Sequence, residues 1–150
     1  MKTFWDERYA VEEFVYGSEP NRFFRESLVS HPPGKLFLPG EGEGRNAVYA
    51  AKAGWEVDCF DQSVVARDKA LKWAEEEGVT IHYRTGDIAG FDYPVEAYDA
   101  VGLIFVHTTP DLRKLFHRYV EHALKPGGVV ILEAFHPRQL EYRTRGPPST

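Results

Sequence analysis

Short apolar runs alternate along the chain with longer stretches in which apolar residues recur at helical spacing. The runs cover residues 35–38, 55–60, 79–83, 98–106 and 129–135. The run at 98–106 is nearly all apolar, as strands buried in a parallel sheet are. The stretches at helical spacing cover residues 45–53, 63–77 and 110–124. Strands that alternate with helices predict a doubly wound, mostly parallel α/β sheet with helices on both faces.

Two further segments flank this predicted α/β domain, which we assign to residues 34–135. Residues 1–33 are rich in aromatic side chains, and Asn21 has the position of an N-cap for a helix that runs to about Leu28. We expect this N-terminal helical segment to be a lid over the domain. Residues 136–150 are polar and contain proline and glycine, so we expect a short, poorly ordered tail.

Composition narrows the function classes. The chain has 150 residues, one domain's worth, and a net charge of −5, which argues against a nucleic-acid or anionic membrane partner. Cys59 is the single cysteine, so neither a disulfide framework nor a zinc motif is available within one chain. No apolar run has transmembrane length, and the N-terminus is too charged for a secretory signal. We therefore expect a cytoplasmic enzyme or binding protein with a small-molecule ligand.

A glycine-rich loop follows the first predicted strand. Glycines occupy every second position there, at Gly40, Gly42 and Gly44. Glycines let the backbone turn sharply and approach a ligand, and the next helix then points its N-terminal N–H groups at that ligand. Dinucleotide sites usually read G-x-G-x-x-G/A, but the last position here is Arg45. Glu41 and Glu43 in the loop would repel a pyrophosphate and suit a ligand that carries positive charge, such as an ammonium or a sulfonium.

Acidic residues follow the next two predicted strands. Ligands of open α/β sheets bind at the carboxyl ends of the strands, so these positions are candidate contacts. Asp61 lies about 20 residues after Gly40, where an acid can accept hydrogen bonds from ribose hydroxyls. Its alternative role is the N-cap of the helix that starts at Ser63. Asp87 could accept from an adenine amino group while Ile88 packs on the ring, and its alternative role is a turn aspartate.

Taken in order, these elements resemble class I S-adenosylmethionine-dependent methyltransferases. The shared set is a G-x-G-x-G loop, an acid after strand two, Gly-Asp after strand three, Tyr-Asp before strand four and Lys-Pro-Gly-Gly before strand five. Here it reads Gly40-Glu-Gly-Glu-Gly44, Asp61, Gly86-Asp87, Tyr98-Asp99 and Lys125-Pro-Gly-Gly128. The opening Trp5-Asp-Glu-Arg-Tyr9, with Tyr16-Gly17 and Pro20-Asn21, is similar to the tellurite-resistance and thiopurine methyltransferase branch. The resemblance covers about residues 4–135.

The resemblance implies S-adenosylmethionine as the cofactor and assigns it a set of contacts. The glycine-loop backbone would approach the methionine part, one acid the ribose hydroxyls, and the other acid the adenine amine with its neighbour on the ring. Carried over in that order, these residues are Gly40 and Gly42, Asp61, and Asp87 with Ile88. Gln62 would pack beside the adenine or ribose, and Phe105 would lie near the methionine carbonyl or sulfur.

Two features depart from the family's pattern. An acid often lies in the strand two residues before the first loop glycine, but Leu38 occupies that position here, followed by Pro39. The cofactor's ammonium would then need another partner, either Glu41 or backbone carbonyls. The family also adds two strands after the fifth, whereas about 15 residues follow Phe135, so we expect the last two strands to be lacking. A fifth strand left at the edge is an aggregation liability that a homodimer would cover.

Methyl transfer from a sulfonium needs mainly alignment of the acceptor and exclusion of water. A general base is needed only where the acceptor must lose a proton, and His107, after the fourth strand, is the candidate. Its alternative role is to cap the helix that starts near Pro110. Trp5, Tyr9 and Tyr16 are candidates to line the substrate near the methyl group, because aromatic walls favour a sulfonium. Their alternative role is packing that anchors the N-terminus on the sheet.

The sequence therefore favours an S-adenosylmethionine-dependent methyltransferase that acts on a small-molecule acceptor, such as a thiol or a chalcogen oxyanion. One alternative is a non-catalytic or regulatory protein that binds the same cofactor, which the short C-terminal part favours. A second alternative is an NAD-dependent oxidoreductase, which Arg45 and the acidic loop disfavour.

Overall fold

The computed structural model describes residues 2–10, 14 and 17–134. The helices in this part of the chain are α1 (Lys2–Tyr9), α2 (Arg22–Val29), α3 (Arg45–Lys52), α4 (Val64–Glu76) and α5 (Pro110–Ala123). The strands are β1 (Lys35–Pro39), β2 (Glu56–Asp61), β3 (His82–Thr85), β4 (Tyr98–Ile104) and β5 (Leu124–Glu133). The predicted N-cap of α2 is confirmed, because the Asn21 side chain accepts a hydrogen bond from the Phe24 N–H.

The strands form one sheet in the order β3-β2-β1-β4-β5, and every neighbouring pair is parallel. The chain runs outward from β1 to β3 and then returns to place β4 on the other side of β1. This arrangement confirms the predicted doubly wound α/β sheet. In such sheets the ligand crevice opens at the carboxyl ends of the strands, beside the point where the strand order reverses. Here that point lies between β1 and β4.

Apolar side chains cover both faces of the sheet. On one face, α2, α3 and α4 bury small and branched residues against the strands, among them Phe24, Leu28, Val48 and Ala70. On the other face, α5 is assisted by two aromatic residues from the segment between β3 and β4. The Phe91 ring stacks on Phe60 with 4.0 Å between centroids, and the Tyr93 ring stacks on Tyr119 at 4.9 Å. These rings take the place of a helix on that part of the sheet.

Two predictions of local structure were wrong. The third strand starts at His82, not at residue 79, because the Val79 N–H donates to the Ala74 carbonyl and so closes the end of α4. The Lys125-Pro-Gly-Gly128 segment was predicted as a turn, but it lies inside β5 as an irregularity. The pairing changes there from Tyr98 with Leu124 to Ala100 with Val129. The extra residues between these two pairs therefore lie in β5 and not in β4. Gly127 has a φ of +81°, which lets the backbone bulge.

Asp99, from the Tyr-Asp motif, has a structural role at the opposite edge of the sheet. Its carboxylate accepts a hydrogen bond of 2.8 Å from the Lys35 N–H and lies 3.4 Å from the Lys125 ammonium. The backbone hydrogen bond, followed by the Lys125 charge, lowers the pKa of Asp99 below its usual value. The motif residues before β4 and β5 therefore hold the amino ends of three strands together.

The first element, α1, lies against α4 and the glycine loop, and we describe its contacts below with the site. No helix among the described residues is long and apolar enough to cross a membrane. The predicted tail at 136–150 lies outside the described residues, as does the end of the predicted fifth strand at Phe135.

Candidate functional site

The glycine loop after β1 has the backbone and the space that only glycine allows. Gly40, Gly42 and Gly44 all have positive φ, at +64°, +69° and +96°. A Cβ at Gly42 would lie 2.8 Å from the Tyr9 hydroxyl oxygen, and a Cβ at Gly44 would lie 2.7 Å from the Ala70 Cβ. The loop is therefore held closely between β1, α1 and α4. Gly40 lies against Val106, so the loop also touches the end of β4.

Glu41 caps the helix that follows the loop. Gly44 occupies the N-cap of α3 and has no side chain to accept a hydrogen bond, but the Glu41 carboxyl accepts from the Ala47 N–H in the first turn. The Asn46 side chain also bonds to this carboxyl. Removal from water raises the pKa of Glu41 to about 8. The structure therefore places the proposed ammonium partner at a helix N-terminus.

Glu43 corrects the expectation that the loop presents two free acids. It is buried and forms an ion pair with Lys69 of α4. The Lys69 ammonium also donates to the Tyr9 carbonyl and lies 5.2 Å from the centre of the Phe14 ring. Because Lys69 balances this charge, Glu43 ties the loop to α4 and does not add negative charge for a ligand. Because the raised pKa of Glu41 keeps that carboxyl mostly protonated at neutral pH, the argument against a dinucleotide rests on Arg45 at the last motif position.

Asp61 lies at the tip of β2 and joins it to the glycine loop. Its carboxylate accepts hydrogen bonds of 3.0 Å from the N–H groups of Gly42 and Ser63. Burial raises the pKa of this carboxyl, and the two backbone hydrogen bonds oppose the increase. Its alternative role as a helix cap is wrong, because Ser63 is the N-cap of α4 and its hydroxyl accepts from the Ala66 N–H.

The remaining cofactor candidates follow the same edge of the sheet. The Gly86 N–H donates to the Asp61 carbonyl, which brings the segment after β3 beside the tip of β2. Asp87 is exposed, Ile88 is half-buried against the aromatic cluster and Gln62 is half-buried next to Asp61. The structure thus brings Gly42, Asp61, Gln62 and the Asp87 segment to one edge.

Phe105 has a strained backbone at the end of β4. Its φ is +54°, which a bulky side chain rarely adopts, and its N–H donates to the Glu133 carbonyl at 2.7 Å. Strand β4 ends at Ile104, two residues earlier than predicted, because the chain turns at Phe105. Strain of this kind is concentrated at functional sites, where the surrounding structure holds it.

His107 follows Phe105 in the same loop and is half-buried. Burial, and then the charge of Arg113, lowers the pKa of this imidazole below its usual value. A neutral imidazole can accept a proton, so the environment suits a general base. Thr109, and not His107, occupies the N-cap position of α5, where its side chain makes no hydrogen bond to the helix.

Helix α1 lies over the glycine loop and the start of α4. The Ser63 hydroxyl donates to the Asp6 carboxylate at 2.6 Å, and Tyr9 is buried with its hydroxyl beside Gly42. The Trp5 ring stacks on Tyr9 with 5.8 Å between centroids. The structure thus brings two of the three predicted aromatic residues to the loop, and the third, Tyr16, lies outside the described residues.

Three residues that shape this site were not among the predicted ones. They are Ser63, Lys69 and Tyr83, whose hydroxyl donates to the Gly42 carbonyl. A helix start at Ser63 was visible in the sequence, but its contact with Asp6 was not. Lys69 and Tyr83 carry no local signal, because their partners are 26 and 41 residues away in the chain.

A scan against family models matches residues 39–128 to the family described as a methyltransferase domain. This match covers more than half of the chain and includes the glycine loop and both acidic strand ends. A search of the curated proteins finds no match.

Solved structures share the fold at low sequence identity. A protein from Pyrococcus horikoshii OT3 is 24% identical with a TM-score of 0.65, over 71% of this chain and 52% of that one. The cyclase SpnF is 25% identical with a TM-score of 0.62, over 71% and 40%. Phosphoethanolamine N-methyltransferase 1 of Haemonchus contortus, in complex with phosphoethanolamine and S-adenosylhomocysteine, is 18% identical with a TM-score of 0.68, over 83% and 29%. The chain thus spans about half or less of these proteins.

Proposed function

Because the chain belongs to the methyltransferase domain family, we propose that it transfers a methyl group from S-adenosylmethionine to a small-molecule acceptor. The observation that carries this proposal is the hydrogen bond from the Gly42 N–H to Asp61, which joins the glycine loop to an acid at the next strand end. The complex of the Haemonchus relative with S-adenosylhomocysteine supports the same cofactor class.

The residues at this edge fit S-adenosylmethionine. Gly40 and Gly42 have positive φ, which lets the loop turn tightly at the end of β1 where the methionine part would lie. Asp61 would hold the ribose hydroxyls through the lone pairs that its two backbone hydrogen bonds leave free. Asp87 would accept from the adenine amine, with Ile88 and Gln62 beside the base. Glu41 and Phe105 would border the methionine part.

When bound, S-adenosylmethionine supplies a methyl group that a sulfonium has already activated. The chain's own residues would position the acceptor and exclude water. Trp5 and Tyr9 would form an aromatic wall above the glycine loop, with Tyr16 as a further candidate from the same segment. His107, neutral in its half-buried position, would accept a proton from an acceptor that must lose one.

Calorimetric titration with S-adenosylhomocysteine and with NADH tests the cofactor. We expect binding of S-adenosylhomocysteine alone, and we expect Asp61→Ala to weaken it by about tenfold or more, because the ribose would lose its acceptor. Asp68→Ala, an exposed acid on α4, is the matched control and should bind normally. Heat released only on addition of NADH would overturn the proposal in favour of an oxidoreductase.

The acceptor needs its own test. The N-terminal motif residues that resemble the tellurite-resistance and thiopurine branch support a thiol or a chalcogen oxyanion. An assay of S-adenosylhomocysteine production across thiols, selenite, tellurite and amines would identify the class. The fold also occurs in the cyclase SpnF, so cofactor binding with no methyl transfer to any acceptor would favour a different or non-catalytic role.

A further inference from the structure

Glu133 is a half-buried acid that the proposed cofactor site does not use. It is the last residue of β5, and its Oε2 atom is buried with no hydrogen-bond partner among the described residues. It is the one such side-chain oxygen or nitrogen found in that part of the chain. A buried carboxylate oxygen without a donor is unfavourable, so its presence calls for an explanation such as a functional role or a bound partner.

The position of Glu133 is beside the end of β4, where the site lies. Glu133 pairs with Ile104, and its carbonyl accepts from the strained Phe105 N–H. Strands are about 4.8 Å apart, so the tips of β1 and β5, on either side of β4, are separated by roughly 10 Å. Val106, next along the loop, touches Gly40. Glu133 is therefore on the same edge as the glycine loop.

The direction of the side chain follows from strand alternation. Residues two apart on a strand face the same side, and Ile131 packs with Phe24 and Leu28 of α2. The Glu133 side chain therefore faces the side of the sheet that carries α2, α3 and α4. Helix α2 packs on β5 there.

The cations of α2 are engaged elsewhere. Arg22 forms an ion pair with Glu26 at 3.0 Å, and Arg25 lies over the Tyr49 ring at 5.6 Å from its centre. In the described part of the chain, Glu133 thus offers an acceptor, while Arg22 and Arg25 contact other groups.

We propose that Glu133 binds the methyl acceptor, and that the acceptor presents an ammonium or amine N–H to its Oε2 atom. This inference rests on the proposed methyltransferase function. A carboxylate at this position attracts a cation and repels an anion, so it favours amines, in contrast to the thiols and chalcogen oxyanions that the N-terminal motif suggests. Glu133 would hold the amine at the edge where the methyl group is delivered.

Turnover of chosen acceptors tests this inference. Tyramine and ethanolamine serve as amines, benzyl mercaptan as a neutral thiol and selenite as an anion, each with S-adenosylmethionine. We expect the amines to be the preferred acceptors, and Glu133→Gln to lower their kcat/KM by about tenfold or more. The affinity for S-adenosylhomocysteine should stay unchanged. Glu56→Gln, at the amino end of β2, is the matched control and should leave both unchanged.

Thermal unfolding provides a readout independent of turnover. Because the Oε2 atom of Glu133 lacks a donor in the described chain, we expect Glu133→Gln and Glu133→Met to leave Tm unchanged or to raise it. A lower Tm for both variants would mean that the chain itself satisfies this carboxylate, and would overturn the proposal. Normal amine turnover by Glu133→Gln would also overturn it, as would the absence of amine turnover in a wild-type protein that binds S-adenosylhomocysteine. Failure of the wild-type protein to bind S-adenosylhomocysteine would instead overturn the proposed function on which this inference rests.

Discussion

The acidic residues of the site have different partners although they lie close together. Glu41 caps α3, Glu43 pairs with Lys69, and Asp61 accepts two backbone N–H groups. Burial raises the pKa of Glu41 and of Asp61, whereas Glu43 has a cation beside it. The individual partner of each acid therefore determines how much negative charge it presents at this edge of the sheet.

Glu41 should give the protein a pH-dependent stability. Its pKa in the folded state is about 8, above the ordinary value of 4.5. Between these values the folded protein retains a proton that the unfolded chain releases, so the free energy of unfolding should fall as pH rises from about 4.5 to about 8. Urea denaturation across this range should show a smaller decrease for Glu41→Gln, which keeps an acceptor for the Ala47 N–H. A decrease equal to that of the wild-type protein would contradict this assignment.

His107 should matter only for some acceptors. A thiolate loses no proton during methyl transfer, whereas an ammonium or hydroxyl acceptor must lose one, so His107→Ala should lower kcat by about a hundredfold or more for the second class alone. His117→Ala on the exposed side of α5 is the control and should keep full activity. Equal losses for thiol and amine acceptors would indicate that His107 positions the loop and is not a base.

At the scale of elements, the glycine loop works because helices pack directly against it. Gly44 lies against Ala70 of α4, and Gly42 lies against Tyr9 of α1. Lys69 of α4 joins both helices to the loop through Glu43 and the Tyr9 carbonyl. The loop conformation is therefore coupled to the positions of α1 and α4.

Gly44→Ala should lower the free energy of unfolding by about 2 kcal/mol or more, because positive φ and the contact with Ala70 both oppose a Cβ. Gly78→Ala is a matched control, since Gly78 also has positive φ but its Cβ would meet open space. It should lower the same quantity by about 1 kcal/mol. Urea denaturation measures both, and similar losses would mean that the contact with Ala70 contributes little.

The lid prediction for α1 can be separated from simple anchoring by hydrogen exchange. If α1 closes over a bound cofactor, S-adenosylhomocysteine should slow amide exchange in residues 2–10, while residues 116–123 of α5 should change little. Exchange in α1 that is the same with and without ligand would favour the anchoring role.

The sheet of the described residues has two edge strands, β3 and β5, and β5 carries exposed apolar side chains. There β5 pairs with β4 on one side only, and Val130 and Leu132 are 45% and 52% exposed. An edge strand with apolar side chains tends to pair with another chain.

The predicted homodimer follows from this edge. Size-exclusion chromatography with light scattering should give the mass of two chains, and Leu132→Lys should give the mass of one because it places a charge in the interface. Val95→Lys, an equally apolar and 73% exposed residue in the segment before β4, should remain dimeric. A monomeric wild-type protein would show that the edge is not a dimer interface.

Local patterns in the sequence were sufficient for the order of elements and for the strand ends at which the candidate site residues lie. The alternation of strands and helices predicted the parallel sheet, because hydrophobic periodicity follows directly from backbone geometry. Gly40, Gly42 and Asp61 were found at strand ends because glycine and acidic residues mark such positions locally. The boundaries of β3 and β5 were predicted less well, since hydrogen bonds of α4 and a bulge at Gly127 determine them.

The sequence by itself thus determined the fold, the glycine loop and the strand ends that a ligand would contact. Only the tertiary structure decided which charges there are satisfied. Lys69 neutralises Glu43 from 26 residues away, and the Oε2 atom of Glu133 is buried without a donor in the described chain. The physical reason is the distance along the chain over which each property is set. Hydrophobic period and backbone conformation are properties of neighbouring residues, whereas burial and charge pairing depend on which distant segments pack together.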